Sequence, residues 1–341
     1  MNNKKVVLLF DPAPSSLVVD EVNGYIDAGF EVYVNVHSRE VENAQAKLIE
    51  GVLLCDIPLN PSSLKAFLTQ NKVDVLKMRR NVAIDSSFIR ELSTIGNMPA
   101  IIAQAGAGLD HIDMVEAKQQ GIHVLNTPGI NADAVAEYTI GQIITFYRNC
   151  FQHNLEMHNG KFTKSSSTLY PQLNQLTLGI VGVGSIGKLL IKYANAFGMN
   201  VIGYCRNIEK VADSTKYEAT NSLDYLLSHS DVISINLPKT SETLGFISSF
   251  ELSKMKHGAL LVNTSRGGVV VEADLKAALE KGLLSGAIID VFENESPFKS
   301  VLCGLKNVIL TPHIAGSTSQ AQKKVASELM LKVIDVSAKL K

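Results

Sequence analysis

Residues 176–198 read LTLGIVGVGSIGKLLIKYANAFG: a short apolar run, glycines at 182, 184 and 187, then an amphipathic stretch. An apolar run that breaks on glycine and resumes with helical periodicity predicts a strand, a tight turn and a helix. A second apolar run follows at 201–205, so the segment predicts a strand–helix–strand unit with parallel strands. The same rhythm runs the length of the chain. Strands are predicted at 6–10, 31–36, 52–55, 73–78, 100–104, 123–126, 178–182, 201–205, 232–236, 259–264, 286–291 and 308–311, with helical patterns between most of them. Such alternation gives parallel sheets covered by helices on both faces. Twelve strands in 341 residues predict two sheets of about six.

The division is placed at 127–131, where TPGIN carries Pro and Gly ahead of a helix predicted over 133–150. That helix is apolar on most faces, which suits burial between domains or a subunit interface. The polar, Ser-rich stretch 159–175, with Pro171, predicts a connecting loop. The last helix, about 319–340, follows the final strand and is expected to return to the first domain. The expected partition is therefore 131–317 for the domain with the glycine turn, and 1–130 with 318–341 for the other.

Lys plus Arg number 32 and Asp plus Glu 33, with no basic stripe, so no nucleic-acid partner is expected. The apolar stretches stop short of the ~18 residues a membrane span needs, and no membrane association is expected. The N-terminus MNNKKVVLLFDPAP starts like a leader, but its apolar run ends at Asp11, which makes it a first strand. Cys55, Cys150, Cys205 and Cys303 are widely spaced and form no CxxC pair. Neither a disulfide framework nor a metal site is expected, and the implied setting is a reducing cytosol.

GVGSIG after a strand and before a helix is a dinucleotide fingerprint. Gly182 allows the tight turn, Gly184 lets the backbone approach a pyrophosphate, and Gly187 lets helix and strand pack closely. The amides of Ser185, Ile186 and Gly187, at the positive end of the helix dipole, suit the phosphates. The second strand ends Tyr204-Cys205-Arg206-Asn207, with Cys205 18 residues beyond Gly187, where an acid usually takes the ribose 2′-hydroxyl. Without that carboxylate, a 2′-phosphate can pair with Arg206, which favours NADP(H). The alternative is a solvated Arg206 and NAD in the site.

Three later segments end a predicted strand with a chemically capable side chain. ALLVNTSRGG carries Arg266, GAIIDVFENESP carries Asp290 and Glu295, and NVILTPHIAGST carries His313. Ligands of open α/β sheets bind outside the carboxyl ends of the strands, so parallel strands bring these residues to one edge. Singly, each reads as a surface charge or a loop histidine; together, behind the fingerprint, they predict a catalytic set.

These segments, with AGAGLDHIDMVEAKQQGIHVLNTPGINADAVAEYTIGQ, LVNTSRGGVVVEADLKAALEKG and LTPHIAGST, resemble the D-isomer-specific 2-hydroxyacid dehydrogenases over about residues 100–320. The resemblance implies two doubly wound α/β domains, a Rossmann cofactor domain and a flavodoxin-like substrate domain. It implies reversible hydride transfer between NAD(P)H and a D-2-hydroxy or 2-keto acid, and a homodimer formed through the cofactor domain. Arg266 would clamp the substrate's carboxylate and carbonyl oxygen. His313 would be the general acid in reduction and the base in oxidation. Glu295 would hold the other ring nitrogen. It stands two residues before Pro297, where many relatives place the acid directly before Pro; the 29-residue spacing from Arg266 selects it over Glu293. Pro238, Thr264, Asp290 and Gly316 would line the cofactor, with Asp290 at the nicotinamide carboxamide. The amides of the turn Ala105-Gly106-Ala107-Gly108, Ala105 and Gly106 first, would hold the substrate carboxylate.

The substrate clue is VDVLKMRRNVAID, where Lys77, Arg79 and Arg80 cluster at a strand end. Arg79 matches the position at which the family's D-3-phosphoglycerate dehydrogenases meet a phosphate. A substrate of that kind is expected, in a short form ending before any regulatory domain. Arg80 replaces a small hydroxyl residue and Gln104 stands where those enzymes often carry Arg, so glyoxylate or hydroxypyruvate reduction is the alternative. A dinucleotide-sensing corepressor role, found on the same fold, is a more distant one.

Overall fold

The computed structural model describes residues 4–14, 17–37, 52–80, 82–162, 169–206, 216–295 and 298–340. Asn207, Pro297 and part of the loop expected over 159–175 lie outside the described residues. The chain divides into two compact units, Met1–Asn131 with Thr318–Lys341, and Ala132–Ser317. Among the described residues, no helix is long and apolar enough to cross a membrane.

The first unit carries β1 (Val6–Leu9), β2 (Glu31–Asn35), β3 (Val52–Cys55), β4 (Val75–Met78), β5 (Ile101–Gln104) and β6 (His123–Leu125). They form one parallel sheet in the order β3-β2-β1-β4-β5-β6. Without its edge strand β3, the order is that of the flavodoxin-like fold. Strand β1 is apolar throughout because both faces are covered. Leu8 packs with Leu64, Leu76 and Ile89 on one face; Val7 and Leu9 pack with Val18, Val22 and Leu329 on the other. Helices α1 (Val18–Asp27), α2 (Pro61–Gln70), α3 (Ser86–Thr94) and α4 (Met114–Gln119) flank the sheet, with the C-terminal helix Ser319–Lys339. Asn60, Asp85 and Asp113 accept first-turn amides of α2, α3 and α4, which fixes where each helix starts.

The second unit begins with α5 (Ala132–Tyr147), whose Ala136, Ile140 and Ile143 pack against Leu190, Ile191 and Ala194. The helix expected to run to residue 150 breaks at Asn149, which takes a left-handed φ of 48°. Asn tolerates that conformation better than most residues. A second helix, α6 (Cys150–His158), follows and buries none of its residues. Then come β7 (Thr177–Val181), α7 (Ser185–Ala196), β8 (Asn200–Tyr204), β9 (Glu218–Thr220), α8 (Leu223–His229), β10 (Val232–Ile235) and α9 (Ser249–Lys254). The unit continues with β11 (Ala259–Asn263), α10 (Glu272–Glu280), β12 (Leu284–Ile289), β13 (Asn294–Glu295), β14 (Phe298–Lys299) and β15 (Val308–Leu310). Seven parallel strands lie in the order β15-β12-β11-β10-β7-β8-β9. The edge strand β9 and the antiparallel pair β13–β14 were not expected. Both are too short to show an alternating pattern.

The sheet closes tightly where β12 passes under α5. A Cβ on Gly286 would lie 2.3 Å from the Asn307 carbonyl and 2.3 Å from Phe146 Cε2. Gly286→Ala should therefore destabilise the second unit by about 1–3 kcal/mol. A lowered midpoint of urea unfolding checks this; an unchanged midpoint contradicts the packing.

Candidate active site

In the second unit, β7 delivers the chain to Gly182, whose φ of 100° suits only glycine. A Cβ there would lie 2.8 Å from the Asn236 carbonyl, and one on Gly187 only 2.5 Å from the Gly182 carbonyl. Those two glycines are thus demanded by the fold. Gly184 is not: it has ordinary backbone angles as the N-cap of α7, and nothing lies within 4 Å of its would-be Cβ. A glycine in open space, at a helix start whose amides at Ser185, Ile186 and Gly187 face no acceptor in α7, fits a closely approaching pyrophosphate.

At the end of β8, the Cys205 amide donates to the Thr220 carbonyl at 2.9 Å. Arg206 Nη1 pairs with Glu242 Oε2 at 2.8 Å, both side chains exposed. The guanidinium expected to meet a 2′-phosphate therefore already shares a carboxylate. Pro238 accepts the Thr243 hydroxyl at 2.6 Å. Thr264 Oγ1 lies 3.3 Å from Thr139 Oγ1. Gly316 sits in a turn closed by Ser317 N–H to Ile314 O at 2.8 Å.

The strands β11, β12 and β15 are neighbours, and just past their ends come Arg266, Asp290 and His313. Asn263, the last residue of β11, shapes the first of these turns. Its Oδ1 accepts the Ser265 amide and hydroxyl at 3.1 and 2.7 Å, and its Nδ2 donates to the Arg266 carbonyl at 3.1 Å. Next to Arg266, a Cβ on Gly267 would lie 1.7 Å from the Phe292 carbonyl, so the turn with Arg266 lies against the backbone of the loop leading to Glu295. Asp290 is fully buried. Its carboxylate accepts the Thr311 hydroxyl at 2.6 Å and the Ile314 and Ala315 amides at 2.9 and 2.8 Å. Three of the about four hydrogen bonds a carboxylate can accept are thus committed to the loop with His313. Tyr138 OH lies 2.5 Å from Thr311 Oγ1 and ties α5 to the same loop.

His313 takes a left-handed φ of 56°, and its Nδ1 lies 3.0 Å from Glu295 Oε2. Glu295 Oε1 accepts the Phe292 amide at 3.2 Å. Glu293 faces elsewhere, accepting the Glu272 amide at 2.9 Å. The Glu295 hydrogen bond raises the His313 pKa above its ordinary value; burial opposes this, the charges of Glu295 and Asp290 add to it, and Arg266 opposes it. Burial alone would raise Glu295, but the His313 hydrogen bond and charge, the Phe292 amide and Arg266 together hold it below the usual carboxylate range. The pair therefore favours carboxylate beside imidazolium.

In the first unit, Lys77 is 1% exposed and bonds Glu21 Oε1 at 2.9 Å, so it leaves the expected basic cluster. Arg79 and Arg80 remain, both beside the buried Asp11. Gln104 Nε2 donates to the Arg79 carbonyl at 2.9 Å, and its Oε1 lies 3.1 Å from His111 Nε2. The expectation for the Ala105 and Gly106 amides needs correction. Ala105 N–H donates to the Met78 carbonyl at 2.8 Å and Gly106 N–H to Thr127 Oγ1 at 2.9 Å, so neither is available to an anion.

Residues 140–315 match the family profile described as D-isomer specific 2-hydroxyacid dehydrogenase, NAD binding domain. The chain belongs to this family. Hydroxypyruvate reductase of Thermotoga maritima is 38% identical over 265 residues, 77% of this chain and 84% of that protein. D-3-phosphoglycerate dehydrogenase of Methanocaldococcus jannaschii is 36% identical over 265 residues, 76% of this chain but 50% of that protein. A crystal structure of a glyoxylate reductase from Paecilomyes thermophila has a TM-score of 0.80 at 25% identity, covering 99% of this chain and 97% of that one. This dehydrogenase is thus an oxidoreductase of the 2-hydroxyacid class, with a nicotinamide dinucleotide as cofactor.

Sequence reasoning did not single out Asn263, Tyr138 and Thr311, which shape or fasten the turns with Arg266 and His313, or Asp11, which lies beside Arg79 and Arg80. Asn263, Thr311 and Asp11 each stand at or just past a strand end, the one available signal; Tyr138 gave none. The glycine turn yields a direct test. Gly184→Ala should lower thermal stability only slightly, because no atom of the described residues meets the new methyl group and the local cost is that of a poorer N-cap, yet weaken NADH binding by about tenfold or more. Fluorescence titration measures the affinity, and unchanged affinity would place the pyrophosphate elsewhere.

Proposed function

We propose that this chain catalyses reversible hydride transfer at C2 of a D-2-hydroxy acid and its 2-keto acid, with His313 moving the proton. The observation that carries the reading is the Nδ1–Oε2 contact of 3.0 Å between His313 and Glu295, in a loop fastened to the strand end beside Arg266. The carboxylate fixes one ring nitrogen, so the other carries the transferable proton. Arg266 holds the substrate's acid end and its carbonyl oxygen, and the polarised carbonyl lies where His313 can protonate it. The bound nicotinamide supplies or accepts the hydride. Asp290 holds the His313 loop and has about one lone pair left for the carboxamide.

Two substrate classes are in play, and they differ at the end remote from C1. A small unphosphorylated acid, hydroxypyruvate or glyoxylate, is favoured because Lys77 is buried in a pair with Glu21, and Arg79 and Arg80 both lie beside the buried carboxylate of Asp11. The second reading, a D-3-phosphoglycerate-type substrate, is favoured by the adjacent Arg79 and Arg80 themselves. For the cofactor, the missing acid at Cys205 supports NADP(H), with Glu242 competing for Arg206. The four free cysteines support a reducing, cytosolic setting. A homodimer is supported by α6, which exposes Phe151, Leu155 and Met157, more apolar surface than a lone helix usually leaves in water.

His313→Ala should lower turnover by about 10²–10⁴-fold, in assays of NADH and NADPH with hydroxypyruvate, glyoxylate, pyruvate and 3-phosphohydroxypyruvate. Near-full activity would remove His313 from the mechanism. Reduction needs the imidazolium, so kcat/KM should hold above the ordinary imidazole range near pH 6.5 and fall as pH rises through the elevated pKa. Glu295→Gln removes the largest cause of that elevation, and the falling limb should move to lower pH. A limb that stays in place means Glu295 does not tune His313.

Light scattering on a sizing column should show the mass of two chains, and Phe151→Asp with Leu155→Asp should reduce it to one. A wild-type monomer, or a dimer that survives both changes, rules out α6 as the interface.

A further inference from the structure

Helix α5 meets the turns with Arg266 and His313 through two adjacent side chains. Thr139, fully buried, has its Oγ1 3.3 Å from Oγ1 of Thr264, two residues before Arg266. Tyr138, half-buried, has its phenol oxygen 2.5 Å from Oγ1 of Thr311, two residues before His313. All of these residues belong to the second unit.

The Tyr138 contact has a direction. A hydroxyl has one proton to give, and an ionised carboxylate can only accept. Thr311 gives its proton to Asp290 Oδ1 at 2.6 Å, so its oxygen must accept from Tyr138. Burial pushes the Tyr138 phenol above its ordinary pKa; the Thr311 bond opposes this and the charge of Asp290 adds to it. The phenol therefore stays protonated, and a donor, over the range in which histidine titrates. Hydrogen bonds in such a chain polarise and strengthen one another. The chain ends on the carboxylate that also accepts the Ile314 and Ala315 amides. The His313 amide is shared between the carbonyls of Asp290 and Thr311, at 2.8 and 3.0 Å. His313 is thus bound to two of the three members of the chain, and its ring lies 3.0 Å from Glu295.

We propose that Tyr138 is a positioning residue for the proton transfer: through Thr311 and Asp290 it holds the loop that keeps the His313 ring against Glu295. This role rests on His313 as the group that moves the proton, but it can fail separately. Tyr138→Phe removes one oxygen and leaves Thr311 without its donor, which loosens the loop. The groups acting on the ring are Glu295, Asp290 and Arg266, and the Glu295 hydrogen bond is the largest cause that raises its pKa. A looser contact with Glu295 therefore weakens the ring's hold on its proton.

The test is the pH profile of kcat/KM for the 2-keto acid and reduced nicotinamide cofactor that the wild type uses best. Tyr138→Phe should move the falling limb to lower pH by about half a pH unit, part of the shift that Glu295→Gln produces. Added to Glu295→Gln, it should move the limb no further. Thr311→Val should shift the limb at least as far as Tyr138→Phe, and Thr311→Ser, which keeps the hydroxyl, should restore it. Tyr147→Phe removes another phenol of α5, one that donates to the Asp231 carbonyl at 3.3 Å, and should leave the limb in place. An unmoved limb in Tyr138→Phe overturns the proposal while the role of His313 stands. So does an equal shift in Tyr147→Phe, or a full sum of the Tyr138→Phe and Glu295→Gln shifts, because the effect then lies outside the His313–Glu295 contact. Near-full activity of His313→Ala overturns the proton-transfer reading, and the proposal with it. Circular dichroism reports folding. Should Tyr138→Phe not fold, Tyr138→Leu is read in the same way, and failure of both to fold makes Tyr138 a residue of the core and overturns the proposal.

Discussion

The buried carboxylate of Asp290 is the contact on which the rest of the catalytic end depends. It gathers the Thr311 hydroxyl and the Ile314 and Ala315 amides around one charge, and its own backbone carbonyl accepts the His313 amide at 2.8 Å. A left-handed conformation costs a non-glycine residue about 1–2 kcal/mol. His313 adopts it because the chain on either side is tied to Asp290, and hydrogen bonds to a charged acceptor outweigh that cost. The reversed backbone directs the imidazole towards β13, where Glu295 waits. Replacing Asp290 would remove the fastening of the His313 loop as well as a charge.

Sheet order supplies the second constraint. The glycine turn follows β7, and the turns with Arg266, Asp290 and His313 follow β11, β12 and β15, with β10 between. At about 4.8 Å per strand, the phosphate turn and the first catalytic turn are about 10 Å apart along the same edge. In the function proposed above, an extended dinucleotide would cover that span, with pyrophosphate at the helix start and its reactive ring near Arg266, Glu295 and His313. Parallel strands alone explain how residues so remote in sequence share one edge.

Strands were legible because both faces of each sheet are covered, which writes every inner strand as a short apolar run between helices. Spacing from Arg266 pointed to Glu295 rather than Glu293, and it is Glu295 that lies 3.0 Å from the His313 ring while Glu293 meets the Glu272 amide. Partners that depend on tertiary contact could not be read. Lys77 looked like one of three cations because it sits two residues from Arg79; its partner Glu21 is on a helix 56 residues away. Glycines at 106 and 108 announce a turn with accessible amides, but not that Thr127 would take the first of them. Asp11 read only as the end of an apolar run.

Three charges act on His313 in opposing directions, and that opposition suits a reversible reaction. Glu295 and Asp290 both favour the imidazolium, whereas Arg266 disfavours it, as does burial of the ring. Without Arg266 the two acids would hold the proton more firmly; without the acids, the arginine and burial would weaken its hold. In the function proposed above, the cation that anchors the substrate is thus also a counterweight to the two acids. On that reading, a substrate carboxylate paired with Arg266 would neutralise part of the counterweight, and binding of the keto acid would shift the ring towards the charged form that reduction needs.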